Sequence, residues 1–263
     1  TVHHVDDFTT QALIDCQRRA ILEPDHVLVV SRAWHDTLDR DYGVASQIVH
    51  NGVRPDRFPP ISKDIRSQLR DSVGAKDRTV LLAVGGVEPR KGSRELFEAV
   101  GLLKAQGRRV VLVILGGHSF QDYEAYRLET LGLLPGLDLT LGQDILQLGT
   151  VDDLTLARWF RAADILTYPS VKEGFGLVAL EALAADLPVV ASSIPVFGEF
   201  LTDHVNALLP RVSDPAAIAH AIDEIILDPA LRASLVAAGR TLVPEFTWDA
   251  SAARHETLYA DFR

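Results

Sequence analysis

The stretch DILTYPSVKEGFGLVALEALAADLPVVASS, residues 164–193, reads as strand, glycine turn, helix and second strand. Asp164–Tyr168 is an apolar run ending in a turn at Ser170, as a buried strand should be. Gly174 and Gly176 bracket Phe175, and an apolar helical run carrying Glu181 begins at Leu177 and Val178. The first N–H groups of a helix have no intrahelical partner, and the helix dipole places partial positive charge there, so the GFG turn predicts an anion site. Glu173 and Glu181 flank it with two carboxylates suited to hydroxyl groups. Phosphate donors beside hydroxyl acceptors describe a pocket for a sugar nucleotide. An apolar run surrounds Glu181, where a solvated helix face would be polar.

Outward from this stretch the same alternation repeats. TVLLAVGG (79–86), RRVVLVILGG (108–117), DILQLGTV (144–151), LPVVASS (187–193) and NALLP (206–210) read as strands. Helices are expected over 93–106, 121–134, 152–163, 196–201, 214–227 and 229–242. Strands alternating with helices mean βαβ units and a parallel sheet covered on both faces, an α/β fold. Upstream, Thr1–His4 and the strands 25–31 and 47–53 alternate with helices over 9–22 and 34–42, Ser31 being a candidate N-cap. Cys16 falls in the first of these helices and reads as a small core residue. RPDRFPP (54–60) is a linker, and 246–262 an amphipathic final helix displaying Trp248, Ala252, Leu258 and Tyr259.

With 263 residues, 47% hydrophobic, the chain can bury one large or two medium cores. A net charge of −10 argues against a nucleic-acid partner or a basic membrane-docking face, so an anionic ligand must meet a local cationic cluster. A single cysteine excludes an intramolecular disulfide and fits the reducing cytoplasm. No apolar run approaches ~18 residues, which argues against a transmembrane segment. No His/Cys/Asp cluster has metal-ligand spacing, so no metal and no resident cofactor are expected.

Residues 173–192, with Glu173 and Glu181 eight residues apart around the GFG turn and PVVAS (188–192) following, resemble the E-x7-E signature of the retaining family 4 glycosyltransferases, glycosyl transferases group 1. That resemblance implies the GT-B architecture: two Rossmann-like domains with parallel sheets facing across a cleft. It also implies roles. Glu173 approaches the hydroxyls of the donor sugar, Glu181 the ribose, and the backbone at Gly174, Gly176, Leu177 and Val178 the diphosphate. VGGVEPRKGS (84–93) is similar to the family's diphosphate-gripping loop. Lys91 matches the family Lys, whereas Gly86 stands where the family has Arg. Arg90 is then either the replacement guanidinium or one half of a solvated pair. Gly85 and Gly86 here, and Gly117 in LGGHS (115–119), permit close backbone approach, with His118 on the rim. Thr150 and Val151 lie in a segment resembling the one that reads the base, and His3 in TVHH resembles a strand-end His facing the donor sugar. Glu199 matches the carboxylate usual in its loop.

The boundaries implied are 1–57 for the last part of an acceptor-side domain plus linker, 58–244 for the donor domain, and 245–263 for a helix crossing back. The chain opens mid-strand and contains no Met, so its start is not expected to be that of the gene product. The apolar face at Val27–Val30 and Val49 would then lack its cover, predicting either self-association of this polypeptide or a first fifty residues much less protected than residues 79–210. The reaction implied moves a sugar from a nucleotide-diphosphate donor to the hydroxyl of an acceptor whose identity the sequence leaves open. Glu173, Lys91 and His3 would act at the reacting centre, by a front-face route with retention. A sugar-nucleotide epimerase of the same fold, or a non-catalytic module binding the nucleotide sugar, are the alternatives.

Overall fold

A computed structural model describes residues 1–117 and 123–261. Five parallel strands form the main sheet: β3 (Thr79–Val84), β4 (Val110–Leu115), β5 (Ile145–Gly149), β6 (Ile165–Tyr168) and β7 (Val189–Ala191), in the order β5-β4-β3-β6-β7. The pleat sends successive side chains to opposite faces, and both faces are buried. Leu81, Leu112, Ile114 and Ile165 enter one core, while Val80, Leu82, Val111, Val113 and Leu166 enter the other. The first core is closed by α4 (Ser93–Ala105), α8 (Pro215–Leu227) and α9 (Pro229–Leu242), the second by α6 (Asp153–Ala162) and α7 (Leu177–Ala184). The chain runs outward from β3 through β4 and β5, then returns to place β6 on the other flank of β3. The crevice beyond the carboxyl ends of β3 and β6 is therefore the topological switch point, where ligands of open α/β sheets bind.

A smaller unit precedes this sheet. β1 (Leu28–Val29) and β2 (Gln47–Ile48) pair in parallel, Val2 adds one parallel bridge to Val29, and α1 (Gln11–Leu22) and α2 (Arg32–Tyr42) complete it. Ser31 caps α2 by accepting from the N–H of Trp34, and Gly43 ends it in the left-handed region. The final helix α10 (Trp248–Asp261) returns to this unit, where Leu258 forms a small core with Leu28 and Val49, and Val53 bridges to Thr247.

Several expectations need correction. Cys16 is exposed, because among the residues of α1 only Ile21 is buried. The amino-terminal strand shrinks to the bridge at Val2, and 206–210 pairs with the sheet only through Leu208 and Val190. Val27–Val30 and Val49 are buried, so the apolar face thought to lack cover is covered, in part by Leu258 of the final helix, the element expected to cross back to this unit. A helix not anticipated between linker and sheet, α3 (Lys63–Ser72), has no buried residue. It is held by Arg66 and Arg70, which reach the buried Asp164 at 2.8 and 2.7 Å.

Candidate active site

The loops at the carboxyl ends of β3, β4 and β5 crowd together. A Cβ at Gly86 would lie 2.7 Å from the carbonyl oxygen of Gly117 and 3.0 Å from Oε1 of Glu88, and one at Gly117 would overlap Oγ1 of Thr150. At position 86 the β3 and β4 loops are therefore so close that any side chain would force the backbone to shift. Thr150 is exposed after β5, and Val151 packs against the core. His118 lies outside the described residues.

Lys91 sits at the end of a short 3-10 turn, Pro89–Lys91, and points into the switch-point crevice. Its Nζ donates to Oε1 of Glu173 at 2.7 Å and to the hydroxyl of Tyr168, the last residue of β6, at 3.0 Å. The two partners of the ion pair are 11% and 9% exposed. Burial lowers the Lys91 pKa from its usual value, against the opposing pull of Glu173. Burial, with the charge of Glu173 beside it, pushes the Tyr168 phenol far up, so it is neutral and able to donate. Arg90 is exposed but lies beside two carboxylates. Its Nη1 is 3.5 Å from Oε1 of Glu173 and its Nε 3.0 Å from Oε2 of the buried Glu88, an ion contact without hydrogen-bond alignment. Two cations and two carboxylates thus interlock at the mouth of the crevice. The sequence marked three of them; Glu88 carried no signal, and nor did Tyr168.

Glu173 begins the turn. Gly176 caps α7 in the left-handed region at φ +97°, where glycine carries no penalty, and the N–H groups of Leu177 and Val178 open the helix. The Phe175 side chain does not face the crevice: it is 3% exposed and packs on His50, Phe200 and Phe246, leaving only its backbone to a ligand. Leu177 and Val178 likewise turn their side chains to the core. Glu181 does not join the Lys91 cluster. Its Oε1 lies 3.2 Å from Nη1 of Arg57, which the linker supplies and which also reaches Asp153 at 3.2 Å. Burial raises the Glu181 pKa despite the arginine.

The small unit meets this turn directly. His3 is exposed, and its carbonyl oxygen lies where a Cβ of Gly174 would be only 2.5 Å away. The indole N–H of Trp34 donates to the Gly174 carbonyl at 3.0 Å, the ring of His50 stacks on Phe175 at 5.3 Å, and Lys172 donates to Asp7 at 2.7 Å. Glu199 accepts from the N–H groups of Arg32 and Ala33 at 2.9 and 3.2 Å, which open α2, and lies 3.2 Å from Nε2 of His50. Burial works against this carboxylate, but those three hydrogen bonds outweigh it and hold its pKa below the usual value. Among the described residues no group of three or more His, Cys, Asp or Glu side chains is placed to hold a metal ion. No helix among them is long and apolar enough to cross a membrane.

A crevice at the switch point of a parallel α/β sheet, faced by a second, smaller parallel unit, is the arrangement of the GT-B fold. The sequence profile of the family "Glycosyl transferases group 1" matches residues 65–242, and the chain belongs to that family. D-inositol 3-phosphate glycosyltransferase of Xylanimonas cellulosilytica is 33% identical over 251 residues, covering 93% of this chain and 58% of that protein. A protein of the same name from Streptomyces scabiei is 34% identical over 219 residues, covering 81% of this chain and 48% of that protein. The chain thus spans about half the length of these curated relatives. Among solved structures, HepE of Anabaena in complex with UDP-glucose superposes with a TM-score of 0.87 at 22% identity, over 99% of this chain and 70% of that one. Sucrose-phosphate synthase of Thermosynechococcus elongatus superposes at 0.79 with 30% identity, over 97% and 64%.

Proposed function

We propose that the protein containing this chain is a retaining glycosyltransferase that moves a sugar from a nucleoside-diphosphate donor to an acceptor hydroxyl. The observation that carries this reading is the buried pair of Lys91 and Glu173, set at the switch point before the amino terminus of α7. In the unliganded site the cation and the carboxylate neutralise each other. A donor diphosphate supplies a new anion for Lys91 and Arg90, which frees Glu173 to accept from sugar hydroxyls. The backbone N–H groups of Leu177 and Val178 face the same diphosphate and stabilise the charge that develops on it as the glycosidic bond breaks. Glu181, poised beside Arg57 rather than the phosphates, takes the ribose hydroxyls. His3 offers a ring at the sugar edge. Gly85, Gly86 and Gly117 let backbone approach the ligand, with Thr150 and Val151 near the base.

Among the described residues no side chain at the crevice is assigned as an enzyme nucleophile, so retention is assigned to a front-face route. In it the departing phosphate oxygen takes the proton of the acceptor hydroxyl on the face it leaves. The leaving group needs no metal ion in this scheme, because the cations and helix amides carry its charge. The donor is assigned to the UDP-sugar class on the likeness to HepE, whose complexes hold UDP and UDP-glucose.

The test is calorimetric titration of the chain with UDP, GDP and ADP and their glucose conjugates, with and without EDTA. Glu181→Ala should weaken UDP itself by about 1–3 kcal/mol, the value of a charged hydrogen bond. Glu173→Ala should spare UDP and weaken the sugar conjugate. Equal losses for both ligands in both variants contradict the assignment of roles, and binding abolished by EDTA contradicts the metal-free diphosphate site.

A further inference from the structure

Residues 172–175 form the turn that presents Glu173, and the amino-terminal unit grips that turn at every residue except Glu173 itself. Lys172 donates to Asp7, Gly174 has the His3 carbonyl against its Cα and accepts at its own carbonyl from the Trp34 indole N–H, and Phe175 lies under His50. Glu173 alone pairs within its own unit. The grip is built rather than incidental. Trp34 is 8% exposed, and its N–H has the Gly174 carbonyl as acceptor; moving the turn would leave a buried donor unpaired. The positions of Trp34 and His50 are fixed in turn by Glu199, which reaches over from the loop after β7 to take the first N–H groups of α2 and contact His50.

We infer that Trp34 and His50 are positioning residues for the donor sugar: the amino-terminal unit, through them, holds the 172–175 turn in the shape that aims Glu173 at sugar hydroxyls. This rests on the reading of Glu173 given above. Two side chains assigned to the nucleotide lie outside the gripped residues: Lys91 belongs to the loop after β3, and Glu181 to α7, which packs on α9 inside the large unit. Sugar recognition therefore depends on the docked small unit more than nucleotide recognition does. A donor is held in full only when the unit facing the acceptor side is in place, which couples the two halves of the cleft.

Titration of the whole chain with UDP and with UDP-glucose tests the inference. Trp34→Phe removes the indole donor while keeping an aromatic ring. His50→Gln removes the stack on Phe175 while keeping a group able to bond Glu199, and it stands as the second variant where Trp34→Phe folds poorly. Each should weaken UDP-glucose about three- to tenfold, the range of one lost hydrogen bond or ring contact, with UDP changed less than about twofold. Glu173→Gln should show the same pattern. If Glu173→Gln shows it and the other two do not, the positioning role is overturned while the function reading stands. Parallel losses for UDP and UDP-glucose in Trp34→Phe and His50→Gln mean a merely structural role and overturn it as well. A Glu173→Gln variant without effect, or a wild-type chain that binds neither ligand, removes the reading of Glu173 and this inference with it.

Discussion

Lys91 and Glu173 cancel each other's charge in a buried ion pair. Under the proposed function the same pair serves a second state, in which each turns to a partner on the donor. A buried ammonium costs free energy unless paired, which is why its pKa falls even beside a carboxylate. Lys91→Ala should therefore lower affinity for UDP by about 1.5–3 kcal/mol while leaving uridine, which has no phosphate, unchanged. Calorimetry with the two ligands checks this, and equal losses would remove Lys91 from the phosphate site. Position 86 shows the opposite economy. The family arginine is absent where the β3 and β4 loops nearly touch, and Arg90, close to both Glu88 and Glu173, keeps a second guanidinium at the crevice mouth.

At the scale of elements, the turn between β6 and α7 is the part whose geometry is most constrained. Gly174 has no room for a side chain, because the His3 carbonyl belongs to the backbone of another element and cannot rotate away. Gly174→Ala should cost about 1–3 kcal/mol of stability, typical of forcing a methyl into a packed site. It should also loosen the amino-terminal strand. A urea unfolding curve measures the first and hydrogen exchange at Val2–Val5 the second; unchanged stability would mean the small unit does not press on this turn. The helix α3 was illegible in the sequence for a related reason. Its apolar stripe is short and only half-buried, Ile65 and Leu69 alone within the helix, and it is anchored besides by the pairing of Arg66 and Arg70 with Asp164, a residue nearly a hundred positions away.

Across the whole molecule, Glu199 ties the large unit to the small one. Its folded pKa lies below the usual value of 4.5, so its contribution to stability is present above that value and is lost as pH falls through the lowered folded pKa. Melting temperatures followed from about pH 6 to about pH 3 should fall, and Glu199→Gln should flatten the acid part of that curve while lowering stability at neutral pH by about 1–3 kcal/mol. A variant with the same acid slope as the parent would show that the tie carries no stability. The covered apolar face at Val27–Val30 also removes the physical ground for self-association through that face.

The sequence alone determined the alternation of strands and helices, because doubly buried strands and helix starts have local signatures: unbroken apolar runs, and Ser31 ahead of its helix. It also marked Glu173 and Glu181, because a glycine turn at a helix start is a local feature with a local consequence, and Lys91 through the resemblance of residues 84–93 to the family's loop. Only the tertiary structure decided which of these groups meet. Lys91 and Glu173 are brought together by the adjacency of β3 and β6 in the sheet, while Glu181 is drawn to Arg57 instead. Phe175 was turned from the crevice into the core, and Trp34, His50 and Glu199 were set around the turn, by contacts between residues more than a hundred positions apart. Periodicity and spacing record which face of an element is buried; they do not record what lies against it.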